Sequence, residues 1–226
     1  MAVAKVEFRR HRAHQRYHLA DGTVVPGTTT ITGILDKPAL KAWANRIGLQ
    51  GYELNRYLDP LSGIGTLTHA RILADVSGKP LTEDMAEYSP KETDLSDNAM
   101  LKFYAWQQHH TFDEVYACEA QMVSELYRYG GTPDHIGIVD GIETLIDYKT
   151  DSGVYPDMAI QLAAYRHLVE ETSSLIVDRA IIVNIGRSPD ESFAEQEFTE
   201  MQLDAAWEIF MHLRSVYDLK KILGGV

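Results

Sequence analysis

The sequence of 226 residues has a single cysteine and no long apolar run. Because a disulfide needs two thiols, Cys118 excludes an intramolecular disulfide as well as a cysteine-rich metal cluster, and it is most simply a small core residue. No apolar run approaches the ~20 residues that span a bilayer, so we expect no membrane association. The first residues lack the apolar segment of a signal peptide, which predicts a cytoplasmic protein.

Two common functional motifs are also missing from the sequence. There is no G-x-S-x-G motif, in which a serine acts as the nucleophile, and no G-x-x-x-x-G-K-[ST] loop, which binds nucleotide phosphates. Any ATP-driven activity would therefore have to reside on another chain.

Positive charge is scarce, since 21 Lys and Arg residues face 33 Asp and Glu residues and the net charge is −12. Phosphate binding generally requires a basic surface, so this balance is the main evidence against a nucleic-acid ligand. Acids at a metal site are neutralised when the cation binds, which weakens the objection. In addition, basic residues cluster near the N-terminus, either as a solvated arm or as phosphate contacts, with Arg9, Arg10 and Arg12 as the candidates.

An acid and an amine interrupt an apolar run, Leu145-Ile146-Asp147-Tyr148-Lys149. In a β-strand, residues two apart share a face, so Asp147 and Lys149 point the same way. Burying these groups costs several kcal/mol each unless other groups compensate them. The alternative is a salt bridge on an exposed sheet face.

A second run, residues 132–139, predicts another strand, and Asp140-Gly141 between the runs predicts a hairpin turn. Pairing of the two strands would bring Asp134 near Asp147 and place two carboxylates and an ammonium at one sheet edge. Close carboxylates repel each other unless a cation lies between them. Hard oxygen ligands of this kind suit Mg²⁺ or Mn²⁺.

The residues that follow, 159–169, read as a helix. Gln161 and Tyr165 are four residues apart and therefore project from the same helix face. This face could cover the acid cluster, although such a pair is also found at ordinary amphipathic edges.

The order of these segments, G-T-P-D at residues 131–134, I-D-Y-K-T at 146–150 and Q-L-A-A-Y at 161–165, resembles the motifs of the PD-(D/E)XK nuclease superfamily. The most similar branch is the RecB-like and phage exonuclease group, to which Cas4-type nucleases are related. The resemblance implies a mixed α/β fold with a restriction-endonuclease-like core, in which helices flank a central mixed sheet, and a helical N-terminal half.

The same resemblance implies roles for individual residues. Asp134 and Asp147 would bind the metal, Lys149 would act with them in catalysis, and Gln161 and Tyr165 would support the site. The backbone carbonyl of Tyr148 is a further expected metal ligand.

Two more residues come from segments upstream of the hairpin. The run Gly65-Thr66-Leu67-Thr68-His69 fits the G-x-x-x-H helix of this branch and makes His69 an expected metal ligand. Glu119 resembles the acid that precedes the first motif in relatives and would join the catalytic or metal site. Glu125 is the competing candidate.

The implied function is that of a DNA exonuclease that depends on Mg²⁺ or Mn²⁺ and acts on single- or double-stranded DNA ends in phage-type recombination, repair or DNA processing. A recombination protein, such as a single-strand annealing protein, is a further expected partner. One alternative is a non-catalytic nucleic-acid-binding or assembly protein on a nuclease scaffold. Another is a structure- or sequence-specific endonuclease.

The chain is expected to form one nuclease domain, with a mostly helical part over residues 1–110 and the αβ core over residues 111–226. Within the first part, Asp59-Pro60 is expected to end a helix that begins near Lys37, and a new helix over residues 62–76 would carry His69. The last helix, residues 203–223, would turn one apolar stripe to the core. The expected stripe is Ala205, Ile209, Leu213 and Val216.

Overall fold

The computed structural model describes residues 16–224, which contain six α-helices, a short 3₁₀ helix and nine strands. The helices are α1 (Thr28–Thr32), α2 (Pro38–Leu49), α3 (Leu54–Ser77), the 3₁₀ helix (Met85–Glu87), α4 (Pro90–Gln107), α5 (Met158–Thr172) and α6 (Glu200–Ile222). The strands are β1 (Tyr17–His18), β2 (Val24–Val25), β3 (Phe112–Cys118), β4 (Met122–Ser124), β5 (Tyr129–Gly131), β6 (His135–Val139), β7 (Ile142–Lys149), β8 (Arg179–Ile185) and β9 (Phe193–Glu197). In this part of the chain, no helix has the length and apolar character needed to cross a membrane.

The central sheet has five strands in the order β3-β6-β7-β8-β9. β7 and β8 run parallel and are joined through α5, whereas the other neighbouring pairs are antiparallel. The sheet is therefore mixed, and the expected α/β fold with a central mixed sheet is confirmed. The two small sheets each pair two short strands, β1 with β2 and β4 with β5.

Helices cover both faces of this sheet. Alternate residues of β7 point to opposite sides, so Leu145 packs in one core with α5 and α6 while Ile146 packs in a second core with α3 and α4. β8 is buried on both faces from Ala180 to Ile185, as its continuous apolar sequence indicates.

The hairpin between β6 and β7 is present with the expected turn. Asp140 and Gly141 adopt φ angles of 56° and 75°, the left-handed values that a two-residue type I′ turn requires. Val139 then pairs with Ile142 and His135 with Ile146. This register places the residue before β6, Asp134, beside the end of β7.

The prediction that Asp59-Pro60 ends a helix is wrong, since α3 runs through Pro60. The break lies earlier, where α2 ends at Leu49 and Gly51 adopts a φ of 85°. The Glu53 side chain then caps α3 by accepting hydrogen bonds from two backbone amides. Pro60 lies in the second turn, where it removes one helical hydrogen bond without interrupting the helix.

The expected core stripe of α6 is wrong at Ala205, Ile209 and Val216, which are exposed, whereas Leu213 packs against the core. Leu203, Ala206 and Phe210 are buried, whereas Ile209 and Val216 are 44% and 41% exposed. One residue corresponds to a rotation of about 100° around a helix. The helix carries two apolar stripes, and packing against α5 buries the one that contains the large aromatic side chain of Phe210.

Gly131 is required where β5 passes beneath α5. A Cβ atom at this position would lie 2.6 Å from Tyr165 Cε1 and 2.7 Å from Leu168 Cδ1, distances that real Cβ atoms essentially never show. The glycine of the G-T-P-D motif therefore has a packing role, because it allows α5 to approach the strand.

We expect Gly131→Ala to lower the free energy of unfolding by about 1–3 kcal/mol, the usual effect of overpacking a core. Urea unfolding followed by circular dichroism measures the change. Gly153→Ala is the matched control, because a Cβ there would meet no atom within 4 Å and the backbone is not left-handed. Equal stabilities of the two variants would contradict the assigned packing role.

Candidate active site

The candidate site residues meet at one end of the central sheet. This end contains the C-terminal ends of the parallel strands β7 and β8, the start of β6 and the end of β3. Helix α3 approaches it from one face and α5 from the other. Open α/β sheets bind ligands at the carboxyl ends of their parallel strands, so the position is a suitable one for a site.

Asp134 is buried and accepts two hydrogen bonds through one carboxylate oxygen. Its Oδ2 atom lies 2.9 Å from His69 Nε2 and 2.9 Å from the backbone amide of Tyr148. Burial raises the pKa of Asp134, but the charges of His69 and Lys149 outweigh that effect and the net pKa is lowered. Asp134 is therefore held as a carboxylate in this arrangement.

Asp147 and Lys149 form a close ion pair on one face of β7. Lys149 Nζ lies 2.5 Å from Asp147 Oδ2, and the Asp147 side chain is 1% exposed. Among the described residues, the Lys149 ammonium is the recorded partner of this buried oxygen. Burial is the main reason why the pKa of Asp147 is raised to about 6; the Asp134 charge raises it further and the Lys149 ammonium opposes both.

Helix α5 connects to this pair through Gln161. Its Nε2 atom donates to Asp147 Oδ1 at 3.3 Å and to the Tyr165 hydroxyl at 2.9 Å, while its Oε1 atom accepts from Lys149 Nζ at 3.4 Å. The structure thus brings Gln161 and Tyr165 onto the acid cluster, as their spacing on one helix face indicated.

His69 reaches the cluster from the middle of α3. Burial lowers the pKa of His69, but the carboxylates of Asp134 and Glu119 outweigh it, and the net pKa is raised. The helix approaches the end of β7 closely, since a Cβ atom on Gly65 would lie 3.1 Å from Thr150 Oγ1. The glycine of the G-x-x-x-H run therefore has a steric reason to be small.

Of the two candidate upstream acids, the structure places Glu119 at the site. Its carboxylate lies 3.7 Å from His69 Nδ1, and its amide donates to the Asp134 carbonyl at 3.0 Å. Glu119 has a φ of 49°, so the chain turns sharply after β3. Glu125 lies on another part of the fold, where it accepts a hydrogen bond from the Ala20 amide at 2.6 Å.

A cavity of about 400 Å³ opens beside these groups. Its lining adds Thr66, Thr150 and Asp151 to the residues expected from the sequence. Asn184, at the end of β8, exchanges two hydrogen bonds with the backbone of Asp151 and so fixes the wall of the cavity. Thr66 lies within the G-x-x-x-H run and Thr150 directly follows Lys149, whereas no sequence pattern indicated Asp151.

A divalent cation at this cluster would need hard oxygen donors. No group of three or more His, Cys, Asp and Glu side chains within residues 16–224 is arranged as a metal site. The Asp134 carboxylate and the buried Asp147 Oδ2 atom, which Lys149 contacts, are nonetheless the hard donors that Mg²⁺ and Mn²⁺ prefer. The residues therefore fit such an ion.

Arg9, Arg10 and Arg12, the expected phosphate contacts, lie outside the described residues. The Tyr148 carbonyl, the remaining expected ligand, belongs to the residue between Asp147 and Lys149 on β7.

No family model matches the chain, and no curated protein matches it. Among solved structures, the fold is similar to that of a protein from Eubacterium rectale whose name provisionally assigns it as an exonuclease. The two share 11% identity over 72% of this chain and 69% of that chain, with a TM-score of 0.50, so the likeness is one of fold. A second structure, that of the protein SSO0001, shares 17% identity over 68% of this chain and 74% of its own, with a TM-score of 0.29.

Gln161 and Tyr165 should contribute jointly to stability if the hydrogen bond between them is formed in solution. We expect a double-mutant cycle of Gln161→Ala and Tyr165→Phe, measured by urea unfolding, to give a coupling energy of about 1 kcal/mol. Gln161→Ala combined with Tyr127→Phe, which alters a tyrosine with no recorded contact to Gln161, is the control cycle. Additive effects in the first cycle would show that the bond is absent.

Proposed function

We propose that this protein is a metal-dependent DNA exonuclease. The observation that carries the proposal is the convergence of Asp134, Asp147, Lys149 and His69 at one end of the sheet, where His69 and Lys149 line a cavity. These residues come from separate segments, and their meeting is what hydrolysis of a phosphodiester would require. The resemblance of the motifs to end-processing nucleases supports exonuclease over endonuclease activity.

Asp134, Asp147, the Tyr148 carbonyl and His69 would hold the cation, with Glu119 beside them. A divalent cation bound there supplies Lewis-acid chemistry, which makes water a better nucleophile at neutral pH and stabilises negative charge on a phosphate. A cation held there would take the place of the proton that His69 Nε2 now shares with Asp134 Oδ2.

The protein's own groups would then orient the reactants. The Lys149 ammonium lies beside both acids, where it can contact a phosphate oxygen and offset the negative charge that develops during cleavage. Gln161 fixes the Lys149 side chain through its Oε1 atom and is itself fixed by Tyr165. These two hydrogen bonds keep the Lys149 side chain directed at the cavity.

The alternative function is that of a binding-only protein on a nuclease scaffold. Such a protein would not need Asp134, Asp147 and Lys149 together. Here two buried acids lie beside a partly buried lysine, at a cost in free energy that a DNA-binding surface alone would not need. This cost favours hydrolysis, and the two experiments below separate the two functions.

Lys149→Ala is expected to reduce DNA hydrolysis by ~10²-fold or more, because it removes the cation that stabilises the transition state. The assay follows end-labelled single- and double-stranded DNA in the presence of Mg²⁺ or Mn²⁺. Lys220→Ala, at an exposed position near the end of α6, is the control. A folded wild-type protein that degrades neither DNA, or a fully active Lys149→Ala variant, would overturn the proposal.

Asp147→Asn should weaken Mn²⁺ binding at least about tenfold in calorimetry, since even changes to partners of metal ligands cost ~10–100-fold. The matched control is Asp204→Asn, which alters an exposed acid on α6. Unchanged Mn²⁺ affinity in Asp147→Asn would remove Asp147 from the metal site and favour the binding-only function.

A further inference from the structure

The segment from α2 to the start of α3 differs in charge from the rest of the chain. Residues 37–58 contain four basic residues and one acid, in a protein whose net charge is −12. The same residues include three large aromatic side chains, Trp43, Tyr52 and Tyr57. Basic and aromatic side chains are combined in this way on surfaces that bind single-stranded nucleic acids.

Helix α2 is poorly covered by the rest of the protein. Of its residues, all of which are described, only Ile47 is buried. Leu40 and Leu49 are 54% and 80% exposed. The helix therefore has a large accessible surface that packing among residues 16–224 does not use.

The three aromatic rings form a cluster where α2 turns into α3. The Tyr57 ring lies 5.7 Å from Trp43 and 5.8 Å from Tyr52, both in edge-to-face contact. Tyr52 is 58% exposed and Tyr57 is 37% exposed. Edge-to-face packing holds the rings while leaving faces on which a base could stack.

A cavity of about 630 Å³ adjoins this cluster, between the first turns of α3 and α4. Its volume falls in the ~300–1,000 Å³ range of small-molecule sites. The lining includes Tyr52, Tyr57, Arg56 and Lys91 together with apolar groups such as Leu61.

The two acids in this lining are engaged in helix caps. Glu53 accepts from the amides of Asn55 and Arg56, both at 3.0 Å, and Glu92 accepts from the Ser89 amide at 2.8 Å. The carboxylates of Glu53 and Glu92 therefore face the N-termini of α3 and α4. Although Arg56 also lies 3.9 Å from Glu53, both side chains are more than half exposed, and such a pair is weak enough for a phosphate to compete.

Both ends of this segment connect to helices that carry residues of the candidate active site. Helix α3 carries Tyr57 at the cavity and His69 at the catalytic cluster, ~18 Å apart along the helix at 1.5 Å per residue. At the other end, Lys37 pairs at 2.7 Å with Asp157, which precedes α5 and lies one turn before Gln161. A strand bound along the segment would therefore lead to the site.

We propose that Trp43, Tyr52 and Tyr57, with Arg56 and Lys91, bind unpaired nucleotides of a single-stranded DNA segment whose end enters the active site. This inference rests on the proposed exonuclease function and specifies its substrate. Stacking requires exposed base faces, which a single strand offers and an intact duplex does not. The cations contact the phosphates between the stacked bases.

The test measures binding of fluorescein-labelled (dT)₂₀ by fluorescence anisotropy in EDTA, where metal-dependent cleavage is prevented. The double variant Tyr52→Ala/Tyr57→Ala should bind at least about tenfold more weakly, given the known contribution of base stacking. Tyr52→Phe/Tyr57→Phe keeps the rings and should bind like the wild type. Tyr104→Ala is the matched control, an exposed tyrosine far along α4 from the cavity.

Photocrosslinking of the wild-type protein to a 5-iodouracil-substituted oligonucleotide gives a second readout that does not depend on any variant folding. Crosslinked peptides containing residues 43, 52 or 57 are expected. Wild-type affinity in the alanine double variant, or crosslinks confined to other segments, would overturn the inference.

The failures of the two proposals are distinguishable. If the wild type degrades DNA but the double variant binds (dT)₂₀ normally, the stacking surface is wrong and the exonuclease function stands. If (dT)₂₀ binding depends on the tyrosines but no metal-dependent hydrolysis occurs, the surface is right and the exonuclease function is wrong. No binding of the wild type to (dT)₂₀ would overturn the stacking surface.

Discussion

The burial of Asp147 beside Lys149 at the end of β7 is the constraint on which the rest of the site depends. An acid that is 1% exposed is costly in a protein interior, and the ion pair with Lys149 offsets only part of that cost. Neighbouring groups offset a further part: Gln161 donates to one oxygen of Asp147 from α5, while Asp134 adds charge attraction for Lys149. Replacing the whole set with apolar residues would generally be neutral or stabilising, so its presence indicates a functional demand.

The sheet and the core of the site could be predicted because their signals are local. Alternation along β7, the Asp140-Gly141 turn and the apolar run of β8 depend on neighbouring residues, and the structure has each of them. Once the hairpin register is set, Asp134 and Asp147 must lie side by side. The position of Gln161 could be predicted for the same reason, since the helix that follows β7 can cover only one face of the sheet.

Features that depend on packing between distant segments could not be predicted in this way. Pro60 is a local signal for a helix end, yet the Glu53 cap and contacts with α4 hold α3 continuous through it. The two apolar stripes of α6 look equivalent in the sequence, and only the shape of α5 selects the one with Phe210. Likewise, the sequence could not decide between Glu119 and Glu125 as the acid of the site. Glu119 reaches the site through its left-handed backbone conformation and the register shifts in β3, which no periodicity reveals.

An acidic protein can still bind a nucleic acid, because each phosphate interacts mainly with the charges close to it. At physiological ionic strength the interaction between exposed charges is screened over ~8 Å, so the sum over the whole surface matters less than the local arrangement. Several acids have local roles: Glu53 and Glu92 cap helices, and Asp134 and Asp147 lie in the charged cluster where a cation would neutralise them. Arg56 and Lys91 line the second cavity, beside the aromatic cluster. Net charge therefore governs non-specific affinity, while the path of a bound strand is set by where the few cations and aromatic rings are placed.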